Sequence, residues 1–148
     1  MYEAGKAAQI ANEMRRYNIQ ILGLCESRWN GSGMTTLSTK EKILYSGHSS
    51  EEHEHTLGVA IMMLETAARA LIEWEPVSER IISARFQSKG RKVTFIQCYP
   101  PTNNADEETK ENFYSMLQST LDRAPDRDIK IVTGDFNAKI GSDNSGAR

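Results

Sequence analysis

Three apolar runs end in polar residues whose chemistry suits a phosphate ester. Asp135 and Asn137 follow the β-branched run Ile129-Lys130-Ile131-Val132-Thr133-Gly134, where Gly134 frees the backbone to turn. The Asp135 carboxylate can orient a water or bind a metal, and the neutral Asn137 amide can hold a second oxygen without adding charge. Glu26 closes Ile19-Gln20-Ile21-Leu22-Gly23-Leu24-Cys25 and shares a strand face with Leu22 and Leu24. A carboxylate on such a face is costly unless partnered. Mg²⁺ is a natural partner, because it takes one or two carboxylates and keeps waters and phosphate oxygens. Tyr99 ends a third run and offers a phenol that can donate to a phosphate or stabilise its charge. In α/β sheets, ligands gather at the carboxyl ends of strands.

Each of these residues has a plainer reading. Asp and Asn are common turn formers after strands. Glu26 can instead pair with Arg28, and Tyr99, beside Pro100-Pro101, can simply pack. Arg28, Thr102 and Asn103 sit next to these strand ends and read most simply as solvated loop residues. Trp29 is either a stacking platform for a base or sugar or an apolar plug over the sheet. The Glu/His cluster at 51–55 has no pair of histidines one helical turn apart, so a solvated loop fits it better than a zinc site.

The elements that must position these residues can be read from periodicity. Ala7, Ile10, Ala11 and Met14 recur at helical spacing, giving an amphipathic helix over about 5–17. A buried strand at 19–25 follows, then a flexible loop around Gly31-Ser32-Gly33. Strands at 42–46 and 57–63 flank a polar connection and form a hairpin-like pair. Residues 67–74 read as a short helix, and Pro76 breaks the chain. Strands at 80–86 and 92–99 are joined by a turn at Ser88-Lys89-Gly90. Asn104 with Glu107 resembles a capping box, opening a helix whose apolar stripe is Phe113, Met116, Leu117, Thr120 and Leu121 and which stops before Pro125. The order is helix, about five strands, helix, strand, which implies an α/β fold with a mixed sheet.

At 148 residues the chain is one ordinary domain, and its 39% hydrophobic and 26% charged content suits a soluble globular class, although a mean hydropathy of -0.55 is polar for a two-layer core. A formal net charge of -2 and a pI near 5.9 exclude a global basic field, so nucleic-acid binding requires a local patch. Cys25 and Cys98 fall in strands and read as reduced core residues of an intracellular protein. No apolar run approaches a membrane span and no signal-peptide core opens the chain.

Taken together, Leu22-Gly23-Leu24-Cys25-Glu26-Ser27-Arg28-Trp29, Ile96-Gln97-Cys98-Tyr99 and Gly134-Asp135-Phe136-Asn137 resemble the exonuclease-endonuclease-phosphatase superfamily. Within it, they look like the apurinic/apyrimidinic-type endonuclease domain of non-LTR (LINE-like, RTE-type) retrotransposons. The flanks Gln9-Ile10-Ala11-Asn12-Glu13-Met14, Ile43-Leu44-Tyr45-Ser46-Gly47, Gly58-Val59-Ala60-Ile61-Met62-Met63, Trp74-Glu75-Pro76-Val77 and Arg80-Ile81-Ile82-Ser83-Ala84-Arg85-Phe86 share that family's look, in order along nearly the whole chain. The resemblance implies a DNase I-like two-sheet α/β sandwich and Mg²⁺-dependent hydrolysis of DNA phosphodiesters, with Mn²⁺ as the alternative ion. It assigns Glu26 as metal ligand, Tyr99 to the scissile phosphate, and Asp135 and Asn137 to the attacking water. Arg28 and Asn103 would touch the DNA backbone. It further implies an intracellular, nuclear protein.

Two departures qualify the expectation. The family's first-strand Asn and its closing Ser-Asp-His motif have no counterpart here, and His48, His53 and His55 all lie in the early polar loop. The chain is therefore expected to be the amino-proximal part of the sandwich, with one sheet face uncovered and little nuclease activity by itself. A catalytically inert retrotransposon-derived module is the alternative, and a phosphomonoesterase of the same superfamily a more distant one.

Overall fold

The computed structural model describes residues 4–25, 31–47 and 58–134, with side chains from residue 7 onward. Glu26, Arg28, Trp29, Asp135, Asn137 and the histidine-bearing loop lie outside the described residues. Helix α1 (Ala4–Arg16) leads into strand β1 (Ile21–Cys25), followed by β2 (Ser32–Thr36), β3 (Lys42–Gly47) and β4 (Gly58–Met63). A short helix α2 (Glu65–Arg69) precedes β5 (Leu71–Ser78), β6 (Ile81–Ser88) and β7 (Arg91–Cys98). Helix α3 (Glu107–Arg123) then returns the chain to β8 (Ile129–Gly134).

The strands form two four-stranded sheets, ordered β1-β4-β3-β2 and β5-β6-β7-β8. Every pairing is antiparallel except β7 with β8, which run parallel. A parallel pair needs a crossover, and α3 provides it. Its consequence is functional: the carboxyl ends of β7 and β8 reach the same edge.

The sequence pattern explains the layering. All six residues of β4 are buried, as expected for a strand covered on both faces. Ala60 and Met62 pack under Ala7, Ala11 and Met14 of α1, while Val59, Ile61 and Met63 face Ile82, Ala84, Phe86 and Phe95 of the second sheet. Arg15 on α1 donates to the buried carboxylate of Glu41, which also accepts from Thr39, fixing the helix to the loop before β3. On the far side, Phe113 of α3 sits on Ile81, Ile96 and Cys98. Burying such a ring contributes about 2 kcal/mol. The result is a four-layer α-β-β-α sandwich.

Helix α1, the β3–β4 hairpin, β6, β7, α3 and β8 match the expected elements closely. Elsewhere the structure corrects the sequence reading. Instead of about five strands ahead of α3, the described residues hold seven. Gly33, read as loop, lies inside β2, where the Tyr45 ring fills the space a side chain would take. That strand, Ser-Gly-Met-Thr-Thr, is an exposed edge and carries no apolar alternation to reveal it. The helix expected at 67–74 is only the five-residue α2, and Trp74 belongs to β5. Pro76 does not break that strand, because β5 is a sheet edge, where a missing N–H is tolerated; the register shifts just beyond it. The cap of α3 is Asp106, whose Oδ1 accepts from the Thr109 amide at 2.8 Å, rather than Asn104 with Glu107. At β8, the other edge of the second sheet, Ile129 and Ile131 remain about two-fifths exposed (41% and 39%).

Candidate active site

The described portion of the site is the junction where the carboxyl ends of β1, β7 and β8 meet. Cys25, the last residue of β1, donates its thiol to the Cys98 carbonyl at 3.3 Å, linking the two sheets. In the parallel ladder Cys98 stands opposite Gly134, the last residue of β8. A Cβ at Gly134 would run into that same Cys98 carbonyl, so the close approach requires glycine. Cys25 and Gly134 therefore both abut one peptide group of β7.

Gln97 sits behind this contact, 3% exposed, with its side chain directed between the sheets. Its Nε2 donates to Cys25 Sγ at 3.3 Å, and its Oε1 accepts from the Thr133 hydroxyl. Gly23 makes room for it, since a Cβ there would overlap the Gln97 amide. Alongside runs a groove of about 440 Å³, whose walls include Ile21, Phe95, Gln97 and Thr133. The two cysteines form no disulfide. Burial, and secondarily the neighbouring Cys25, pushes the Cys98 thiol up to about 12, so it stays protonated.

Tyr99 lies just past the tip of β7, half-buried, with its ring against the edge of the inter-sheet core. Arg80 holds its backbone from both directions: the Tyr99 amide donates to the Arg80 carbonyl at 2.8 Å, and Arg80 Nη1 donates to the Tyr99 carbonyl at 2.8 Å. The Arg80 guanidinium is 5.9 Å from the tyrosine ring centroid, within cation-π range. Burial lowers the Arg80 pKa, opposed by Glu79 and Tyr99, yet an arginine remains charged. A positive charge thus stands beside the one described residue assigned to the phosphate. Asn103 is in the exposed turn between Tyr99 and α3.

Of the sequence-predicted site residues, Tyr99 and Asn103 are thus located. Glu26, Asp135, Asn137 and Arg28 lie outside the described residues, but Cys25 and Gly134, the immediate predecessors of Glu26 and Asp135, converge. Among the described residues, no cluster of three or more His, Cys, Asp or Glu side chains could hold a metal. Carboxylate oxygens suit a hard cation, and in the sequence those of Glu26 and Asp135 follow directly on Cys25 and Gly134. Sequence reasoning missed Gln97, Gly23, Thr133 and Arg80. The available signals were a glutamine inside the apolar run Val93–Cys98 and a glycine inside another.

Two packed sheets with helices on both outer faces, and strand ends gathered at one edge, make this a DNase I-like α/β fold. Among solved structures, the endonuclease domain of TRAS1, a telomere-specific non-LTR retrotransposon, is similar with a TM-score of 0.55 and 17% identity, over 89% of this chain and 53% of that one. An endonuclease/exonuclease/phosphatase family protein from Leptotrichia buccalis gives a TM-score of 0.56 and 16% identity, over 87% of this chain and 58% of that one. Among curated proteins, craniofacial development protein 2 of Bos taurus and of Tragulus javanicus are each 38% identical over 138 residues, 93% of this chain. The chain spans only 23% of the length of these relatives. No protein-family model matches the sequence. No helix among the described residues is long and apolar enough to cross a membrane.

Proposed function

We propose that this chain carries the strand-tip site of a Mg²⁺-dependent DNA phosphodiesterase, of the kind found in non-LTR, RTE-type retrotransposon endonucleases. The observation that carries the reading is the shared contact of Cys25 and Gly134 with the Cys98 peptide. Cys25 and Gly134, which immediately precede Glu26 and Asp135 in the sequence, therefore end at one junction, near Tyr99. The likeness to an endonuclease domain of a non-LTR retrotransposon supports DNA as the substrate.

In this reading Glu26 is the ligand for the cation, which when bound offsets charge on the phosphoryl oxygens. Tyr99 donates its phenol to a non-bridging oxygen, with Arg80 lending positive potential from beneath. Asp135 accepts a proton from the attacking water and Asn137 orients that water and the phosphate. Arg28 and Asn103 hold the strand through its backbone.

The test is nicking of supercoiled plasmid in Mg²⁺ by wild type and by Asp135→Ala. Wild type should open the circles above an EDTA control, and the variant should lose at least about 100-fold, the usual worth of a general base. Equal, background cleavage by both proteins would instead favour an inert module. Release of phosphate from inositol phosphates would point to the phosphomonoesterase alternative.

A further inference from the structure

We propose that Gln97 is the positioning residue of this site: its buried side chain spans the gap between the sheets and sets the spacing of the β1 and β8 tips. The inference rests on the proposed site only for its functional consequence, since the bridge itself belongs to the fold. A carboxamide carries both donors and an acceptor, so one side chain can serve two strands at once. Here Nε2 engages Cys25 on β1 and Oε1 engages Thr133 on β8, while the backbone of Gln97 lies in β7. Cys25 and Thr133 stand one and two residues before the proposed metal ligand and general base.

The packing around Gln97 favours a dedicated role over incidental burial. A polar side chain this deep is costly unless satisfied, and an apolar residue would fill the same space without that requirement. Phe95, on the same face of β7, does so one step away within the inter-sheet core. At position 97 the chain instead places an amide and sets Gly23 opposite it, giving up side-chain packing on β1 to admit it. The bridge lies at the edge where the tips converge. The middle of the interface packs the apolar side chains of Leu44, Ile61, Ile82 and Phe86.

The decisive experiment is residue-resolved amide exchange on the 148-residue chain carrying Gln97→Leu, which keeps approximate volume and removes both hydrogen bonds. Exchange should rise at least about tenfold in β1 and at the end of β8, with β3 and β6 unchanged. A uniform rise across both sheets, or no rise, overturns the proposal, since general loss of stability does not select two strand tips. Gly23→Ala is the second variant. It should mimic the effect from the facing strand and become silent in a Gln97→Ala background, whereas an equal effect in both backgrounds overturns the proposal. Mn²⁺ affinity, read by electron paramagnetic resonance, should fall about tenfold in Gln97→Leu. A wild-type chain that binds no Mn²⁺ removes the phosphodiesterase reading, and the exchange data still decide the role of Gln97.

Discussion

The two ends of the β7–β8 pair are both pinned by a buried polar side chain, but with opposite chemistry. At the end where β8 begins, Asp128 accepts from Arg85 Nε at 2.7 Å and Nη2 at 3.0 Å, and from the Thr94 hydroxyl at 2.7 Å. This bidentate pair joins β6, β7 and the loop after α3, and the Arg85 hydrogen bonds hold the Asp128 carboxyl down to about 2. At the end where β8 finishes, the pin is the neutral Gln97 amide with a hydroxyl and a thiol. The charged pin neutralises itself and serves the fold. The neutral pin ties β1, β7 and β8 together without placing a fixed charge at their carboxyl ends, which suits the cation site proposed above.

The comparison can be broken from the charged end first. Asp128→Ala leaves Arg85 and Thr94 without their acceptor and should cost roughly 3 kcal/mol in urea unfolding, the largest single effect expected. The pH dependence follows from the same group. Its folded pKa of about 2 lies below the ordinary 3.8, so the native state binds fewer protons than the unfolded chain between those values. Stability from Asp128 is fully present above about pH 4–5 and is lost as pH falls through about 2. Urea midpoints across that range should show this acid limb in wild type and a shallower one in Asp128→Asn.

At the neutral end, Thr133→Val removes one donor to Gln97 and should cost about 1 kcal/mol, with little dependence on pH between 3 and 7. A strong pH dependence of that loss would show that a charged group takes part in the pin alongside the neutral Gln97 amide. The smallest effect is reserved for the exposed Arg123–Glu75 pair, 3.0 Å apart but more than half exposed on both sides. Arg123→Ala should move stability by less than about 0.5 kcal/mol in the same unfolding assay, which sets the scale for the other variants.

Which parts of this were legible in the sequence follows from where each residue gets its conformation. Helix α1 announces itself through Ala7, Ala11 and Met14, because that stripe is the face it buries. Strand β4 is equally plain, being apolar throughout and covered on both sides. Strand β2 is invisible because an edge strand facing water needs only a partner's backbone, and Ser-Gly-Met-Thr-Thr leaves no periodic mark. Strand β5 misleads because Ala67 and Ala68 favour a helix that lasts a single turn before the chain crosses to the second sheet. For the site, the strand-end residues could be named one by one, since each follows an apolar run. Gln97 could not, because its role exists only once Gly23 and Thr133 arrive from β1 and β8, more than thirty positions away on either side.

The central claim is that Glu26 supplies the ligand for one cation while Asp135 acts on the attacking water. A Mn²⁺ titration of wild type, Glu26→Gln and Asp135→Asn, followed by electron paramagnetic resonance, tests it directly. The account predicts a single site in wild type that weakens sharply in Glu26→Gln and much less in Asp135→Asn. Two independent sites, or a site that survives Glu26→Gln intact, would contradict it.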